Sequence, residues 1–215
     1  MVTCFSQVTF FLIMTSCLKF LSSVYSVAGV SLALCLFATV QADTGSFAQR
    51  AVAAGNTRGK NFAVIDKFAA TISLYNDSGK LMAASPVLLG LAKGDMSVPG
   101  IGDRLILDIA PHERTTPAGR FESELGKNLS GETVVWIDYD AAVSLHALRP
   151  SDPFENRAAR LATTTPLDNR ITYGCVNVPA DFFRQWVLPA FEKSAGVIYV
   201  LPEAKPAKTY FSFLQ

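Results

Sequence analysis

Along the chain, short apolar and β-branched runs alternate with small polar turns, a pattern of strands rather than of long helices. FAVID from Phe62 and ATISLY from Ala70 have strand length, and NDSG from Asn76 reads as a hairpin turn, with Gly79 available for positive φ. LMAASPVLLG from Leu81 is the returning strand, so these runs predict an antiparallel meander. AKGDMSVPGIGD from Ala92 is loop material, rich in glycine. TVVWIDYD from Thr133, AVSLHA from Ala142 and VIYVL from Val197 complete the strand candidates.

Helical character is confined to FENRAARLA from Phe154 and ADFFRQWVLPAFEKS from Ala180. In the second, Phe183, Trp186, Val187 and Ala190 recur at helical spacing, and Asp181 in the first turn suits the helix dipole. Pro189 is expected to kink that helix or mark a break. The pattern predicts one mainly β domain with one or two short helices over residues 60–202. DTGSFAQRAVAAGNTRGK from Asp43 reads as a flexible tether over 43–59, and 203–215 as a tail whose aromatics either dock on the body or serve as a recognition end.

The first 42 residues change the picture of where this domain works. From Phe20 to Ala42 no residue is charged, Lys19 precedes the run, and Val40-Gln41-Ala42 places short residues where a signal peptidase reads. This is the layout of a secretory signal peptide over 1–42. It is longer than usual, which a start of translation at Met14 would explain. The alternative is a retained anchor, because about 20 apolar residues can span a bilayer. The expected location is the periplasm, or the membrane if the leader stays. With Lys19 set aside, basic and acidic residues balance, so charge points to no nucleic-acid partner.

Of the four cysteines, Cys4, Cys17 and Cys35 lie in the leader, and Cys175 alone lies beyond it. The histidines are His112 and His146. A lone cysteine is commonly a small buried apolar residue, but an idle thiol outside the cytoplasm invites oxidation. Paired with an imidazole it becomes a nucleophile. Gly174, immediately before it, permits a sharp turn, and the N–H groups of Tyr173, Gly174 and Cys175 are candidates for an oxyanion hole. A metal site from His112, Glu113, His146 and Cys175 has the wrong spacing for zinc, so no metal and no cofactor is expected.

Thr172-Tyr173-Gly174-Cys175-Val176-Asn177 resembles the signature of the L,D-transpeptidase catalytic domains (YkuD-type), Ser/Thr-x-Gly-Cys-aliphatic-Arg/Asn. His146 in SLHALRP matches the family's upstream histidine, and Thr116-Pro117-Ala118-Gly119-Arg120-Phe121 matches its Thr-Pro-x-Gly-x-Phe marker. The resemblance covers about residues 61–201. It departs at Tyr173, where many members have histidine, and at Ala147, commonly glycine or serine. It also departs in the long segment between His146 and Cys175, which reads as a lid or flap.

The resemblance implies a β-sandwich and a cysteine acyltransferase acting on peptidoglycan stem peptides that contain diaminopimelate. Cys175 would form a thioester at the third stem residue and His146 would act as base and acid. Attack by an amine gives cross-linking or amino-acid exchange; attack by water makes the protein an L,D-carboxypeptidase or cross-link hydrolase. A non-catalytic wall-binding module is the remaining alternative. Thr172 and Asn177 would support the turn and the substrate. Arg120, Arg149 and Arg170 are candidates for a substrate carboxylate, and carbapenem acylation of Cys175 is expected.

Overall fold

Strand β1, Phe62–Asp66, is apolar at every position but its last, and its first four residues are buried. The computed structural model, which describes residues 44–149 and 153–215, shows why: both faces of the strand are covered. Ala63 and Ile65 point into one hydrophobic cluster, and Phe62 and Val64 point into another. The period of two along a strand makes this division automatic.

The strands of the predicted meander form as read. β2 (Thr71–Tyr75) pairs antiparallel with β1, and β3 (Leu81–Pro86) with β2. The next elements are β4 (Leu89–Gly90), β5 (Gly119–Ser123), β6 (Leu125–Lys127), β7 (Thr133–Asp138) and β8 (Val143–Ala147). β9 (Arg170–Thr172), β10 (Val176–Val178) and β11 (Gly196–Val200) follow. One sheet runs β3-β2-β1-β11-β5, a second β10-β8-β7-β6, and a small third joins β4 to β9. β1 and β11 are parallel, as are β8 and β10, in sheets that are otherwise antiparallel.

The two larger sheets bury a common core. Ala63, Ile65, Ile72, Leu74, Ile198 and Val200 come from the first, and Val135, Val143, Leu145, Val176 and Val178 from the second. The helix over 180–192 closes one side of this core with Phe183, Val187, Ala190 and Phe191. Pro189 neither breaks nor ends it. Phe183–Val187 adopts a π-helical turn just ahead of the proline, the local adjustment that tolerates a residue without an N–H.

The segment read as a tether is instead structured. Residues 44–53 form a helix (α1), and Phe47, Ala48 and Ala51 are buried on the outer face of the first sheet. The Phe47 ring packs edge-on against Tyr199, Phe211 and Phe213, with centroids 5.2, 5.0 and 5.2 Å away. The tail therefore docks on the body, with Phe211 buried. An apolar face on each side of α1 and the tail is what removes the second face of β1 and β11 from water. The stretch read as a leader with its cleavage site lies outside the described residues.

A buried ionic cluster fastens the tail. Lys67 has a fully buried side chain and donates to Asp95 at 3.0 Å, to the Thr116 carbonyl at 3.0 Å and to the Gly94 carbonyl. Asp95 also accepts the backbone N–H groups of Glu203, Ala204 and Lys205. Burial pushes the Asp95 carboxyl up, but these N–H donors and the Lys67 ammonium outweigh it and hold it below its ordinary value. Burial lowers Lys67, against the opposing pull of Asp95 and Glu203.

Candidate functional site

β8 and β10 run side by side with Val176 opposite Leu145, Asn177 opposite His146 and Val178 opposite Ala147. Leu145, Val176 and Val178 point into the core. Alternation therefore places Ser144, His146, Cys175 and Asn177 together on the other face. The pairing register of two three-to-five-residue strands is what assembles the site. β10 is held on its other edge as well, where Asn177 exchanges backbone hydrogen bonds with Leu88.

Cys175 sits at the end of the turn between β9 and β10, partly exposed. Thr172 closes this turn: its hydroxyl donates to the Cys175 carbonyl at 2.6 Å and accepts the Gly174 N–H at 3.2 Å. Gly174 has φ 131°, and a Cβ there would lie 3.0 Å from the Thr115 carbonyl oxygen and 3.3 Å from Val143, so the position requires glycine. Thr116, from the Thr-Pro-Ala-Gly segment, supports the turn from below. Its hydroxyl donates to the Gly174 carbonyl at 2.8 Å and accepts the Gly90 N–H at 2.9 Å.

These contacts correct one expectation and divide the others. The Gly174 N–H is committed to Thr172 within the turn and is not open to a substrate oxyanion. Thr172 is a brace. Tyr173 faces the pocket with its ring 3.9 Å beneath the Arg114 guanidinium, a cation–π contact.

The Sγ of Cys175 meets the Ser144 N–H at 3.4 Å, the Ser144 hydroxyl at 3.7 Å and the Ala142 carbonyl at 3.7 Å. The carbonyl suits a thiol that donates, and the Ser144 N–H and hydroxyl suit a thiolate that accepts. Ser144 is thus a site residue that the sequence reading missed. Its position two before His146, on the same face of a strand, was the available signal.

His146 is buried, and its Nδ1 lies 2.9 Å from the Ala147 carbonyl while its Nε2 lies 3.0 Å from Asn177 Nδ2. A carbonyl only accepts, so Nδ1 carries the proton and Nε2 presents its lone pair. Burial is the main cause that lowers the His146 pKa from its ordinary value. The Ala147 hydrogen bond raises it, Arg149 lowers it, Glu132 raises it and Arg157 lowers it. The net result is a neutral imidazole near pH 7, the form that takes a proton.

A shallow pocket of about 290 Å³ opens over these groups, lined by Ile106, His146, Arg149, Arg157, Thr172, Tyr173, Cys175 and Asn177. Of the three arginines singled out, Arg149 alone lines it, paired with Glu132 at 2.6 Å. Arg120 lies on β5, bound to the Asn56 carbonyl and to Glu122. Arg170 makes a two-pronged contact with Glu203 at 2.5 and 3.1 Å and bonds the Lys67 carbonyl. Both of these serve the scaffold. Arg157, on the helix Arg157–Ala162 (α2), takes the place beside the pocket that they do not.

No family model matches this chain, and no curated protein matches it either. Solved structures similar to it include L,D-transpeptidases and a cell-shape protein. The helical cell shape determining protein Pgp2 of Campylobacter jejuni aligns at 15% identity and TM-score 0.44, over 68% of this chain and 49% of its own. The L,D-transpeptidase of Mycobacterium smegmatis aligns at 17% identity and TM-score 0.38, over 66% and 58%. The catalytic domain of the Enterococcus faecium L,D-transpeptidase aligns at 18% identity and TM-score 0.35, over 66% of this chain and 98% of its own. The chain thus spans about half to three fifths of the first two. Likeness at this level does not carry activity from one chain to another.

Proposed function

We propose that this protein is an exported cysteine acyltransferase that acts on peptidoglycan stem peptides. One observation carries the reading: a thiol held on a glycine turn and an imidazole whose Nδ1 proton is fixed by the Ala147 carbonyl line the same pocket. Together they supply a nucleophile and a proton acceptor in one pocket. The substrate class follows from the Thr172–Asn177 signature and the matching His146 and Thr116–Phe121 segments.

In this reading Cys175 Sγ attacks the carbonyl that follows the third stem residue. Its proton passes to His146 Nε2 when Asn177 Nδ2, which donates to that nitrogen at rest, gives up its hydrogen bond. The tetrahedral oxyanion is stabilised by the backbone N–H groups of Tyr173 and Cys175, because that of Gly174 is taken. Collapse breaks the C–N bond, and His146 returns the proton to the departing D-amino acid. An amine from a second stem then attacks the thioester. Arg149, at the pocket edge, is the candidate for a diaminopimelate or stem carboxylate, exchanging Glu132 for the substrate. Export to the periplasm through the 1–42 leader would bring the domain to that substrate.

Incubation with a disaccharide-tetrapeptide, followed by product masses, tests the reading. Cross-linked or exchanged stems support it. Shortened stems alone would assign the water-dependent reaction instead, and unchanged stems would remove both. A carbapenem should add its mass to the wild type and leave Cys175→Ser and His146→Ala unmodified.

A further inference from the structure

The segment between His146 and Cys175, long for a connection between adjacent parallel strands, reaches back to the site through Arg157. Arg157 donates from Nη1 to Asn177 Oδ1 at 3.0 Å. Glu155 grips the same guanidinium, taking Nε at 2.7 Å and Nη2 at 3.3 Å. Arg160 then ties the segment to itself, with Nε on the Glu155 carbonyl at 2.7 Å and Nη1 on the Asp168 carbonyl at 3.0 Å. Arg157 is thus neutralised and fixed.

The chemistry of a carboxamide gives this contact its meaning. A guanidinium only donates, so Arg157 selects the oxygen of Asn177 and turns the Nδ2 group to the opposite side. There it donates to His146 Nε2 at 3.0 Å. A donor on Nε2 favours the unprotonated imidazole. Were the amide reversed, Oδ1 would face Nε2 and favour a proton on it. The chain of contacts runs from Arg157 through Asn177 and His146 to the Ala147 carbonyl, with every donor pointing the same way.

We propose that Arg157 is a positioning residue that, by holding the Asn177 carboxamide in one orientation, keeps His146 Nε2 unprotonated. This rests on the reading of His146 as the base of the site. Among the described residues, the other charged or titratable groups around His146 include Arg149 on the strand end that follows it, Glu132 from the β6–β7 turn, Glu155 beside Arg157, and Tyr173 and Cys175 in the turn before β10. None of them contacts the Asn177 amide in place of Arg157.

The test is the titration of the His146 imidazole by NMR in the full chain, which needs no substrate. Arg157→Met should raise its midpoint by about one pH unit, and Arg157→Lys, which restores a donor and the charge, should bring it back most of the way. Because removal of a nearby positive charge raises a histidine pKa by itself, Arg157→Met is repeated in an Asn177→Ala background. There the further shift should be less than half as large. Equal shifts in the two backgrounds, or no shift in Arg157→Met with the wild-type amide spectrum retained, would overturn the proposal. If Arg157→Met fails to fold, Glu155→Gln, which loosens the grip on Arg157, should give a smaller rise of the same sign, and no rise would overturn it. A normal titration result with no acyl transfer would remove the proposed function and leave this one standing.

Discussion

The hydroxyl of Thr172 donates to the carbonyl of Cys175 across 2.6 Å while accepting the N–H of Gly174. One side chain thereby satisfies two backbone groups of the turn that presents the thiol. Thr172→Val should leave both unpaired, at a cost of about 1–3 kcal/mol. It should slow carbapenem acylation about tenfold or more, because a misplaced nucleophile loses orientation. Thr172→Ser should retain most of the wild-type rate. Urea denaturation and the time course of adduct mass check the two effects separately.

Lys67 and Asp95 form a buried pair that joins the 92–100 loop to the segment after β11. Lys67→Met leaves the buried Asp95 without its cation, while Glu203 keeps Arg170, and should destabilise by about 3–5 kcal/mol. Adding Asp95→Asn should recover part of the loss, since a carboxamide is cheaper to bury than a lone carboxylate. Chemical denaturation of both variants reads this directly; equal stability of Lys67→Met and wild type would contradict it.

The depressed His146 pKa gives stability a sign with pH. Below about 6.5, its ordinary value, the unfolded chain binds a proton that the native protein resists. Stability from this group is therefore present above that pH and is lost as pH falls toward the lower folded value. Thermal melts between pH 8 and 5 should show Tm decreasing over that window, and His146→Gln should flatten the decrease. Acyl transfer should keep its acid limb below 6.5, where the neutral imidazole is finally protonated.

Phe47 from α1 is buried among Tyr199, Phe211 and Phe213. Phe47→Ala should cost about 3–5 kcal/mol, far more than a substitution in a loose tether. The same variant should leave the acylation rate of the folded fraction near wild type, because α1 covers the face of the first sheet that points away from the core shared with β8 and β10. Combined denaturation and adduct-mass measurements check both halves.

Much of this molecule was legible in its residues. Short β-branched runs separated by turn residues placed β1, β2, β3, β7, β8 and β11 almost where they form. Gly174-Cys175 and His146 named a thiol and an imidazole that the fold brings to one pocket. Other features were only half visible. β1 and β11 are apolar at consecutive positions, which already implied two covered faces, but nothing local in DTGSFAQRAVAAGN says that it supplies the second cover. Its small, polar composition matches a linker until Phe47 finds the aromatic tail.

The arginines show the same division. Arg120, Arg149, Arg157 and Arg170 are equivalent as charged residues in a string. Only the fold spends two of them on the scaffold and leaves Arg149 and Arg157 at the pocket. The Gly174 N–H looked free because the reach of Thr172 depends on the turn's shape. Sequence alone determined most of the longer strands and which side chains have the chemistry to react, because periodicity, turn chemistry and the scarcity of thiol and imidazole are local properties. The tertiary structure decided which side chains share a face, which donors are already taken and which nitrogen of His146 holds its proton, because these depend on strand register and on partners distant in the chain.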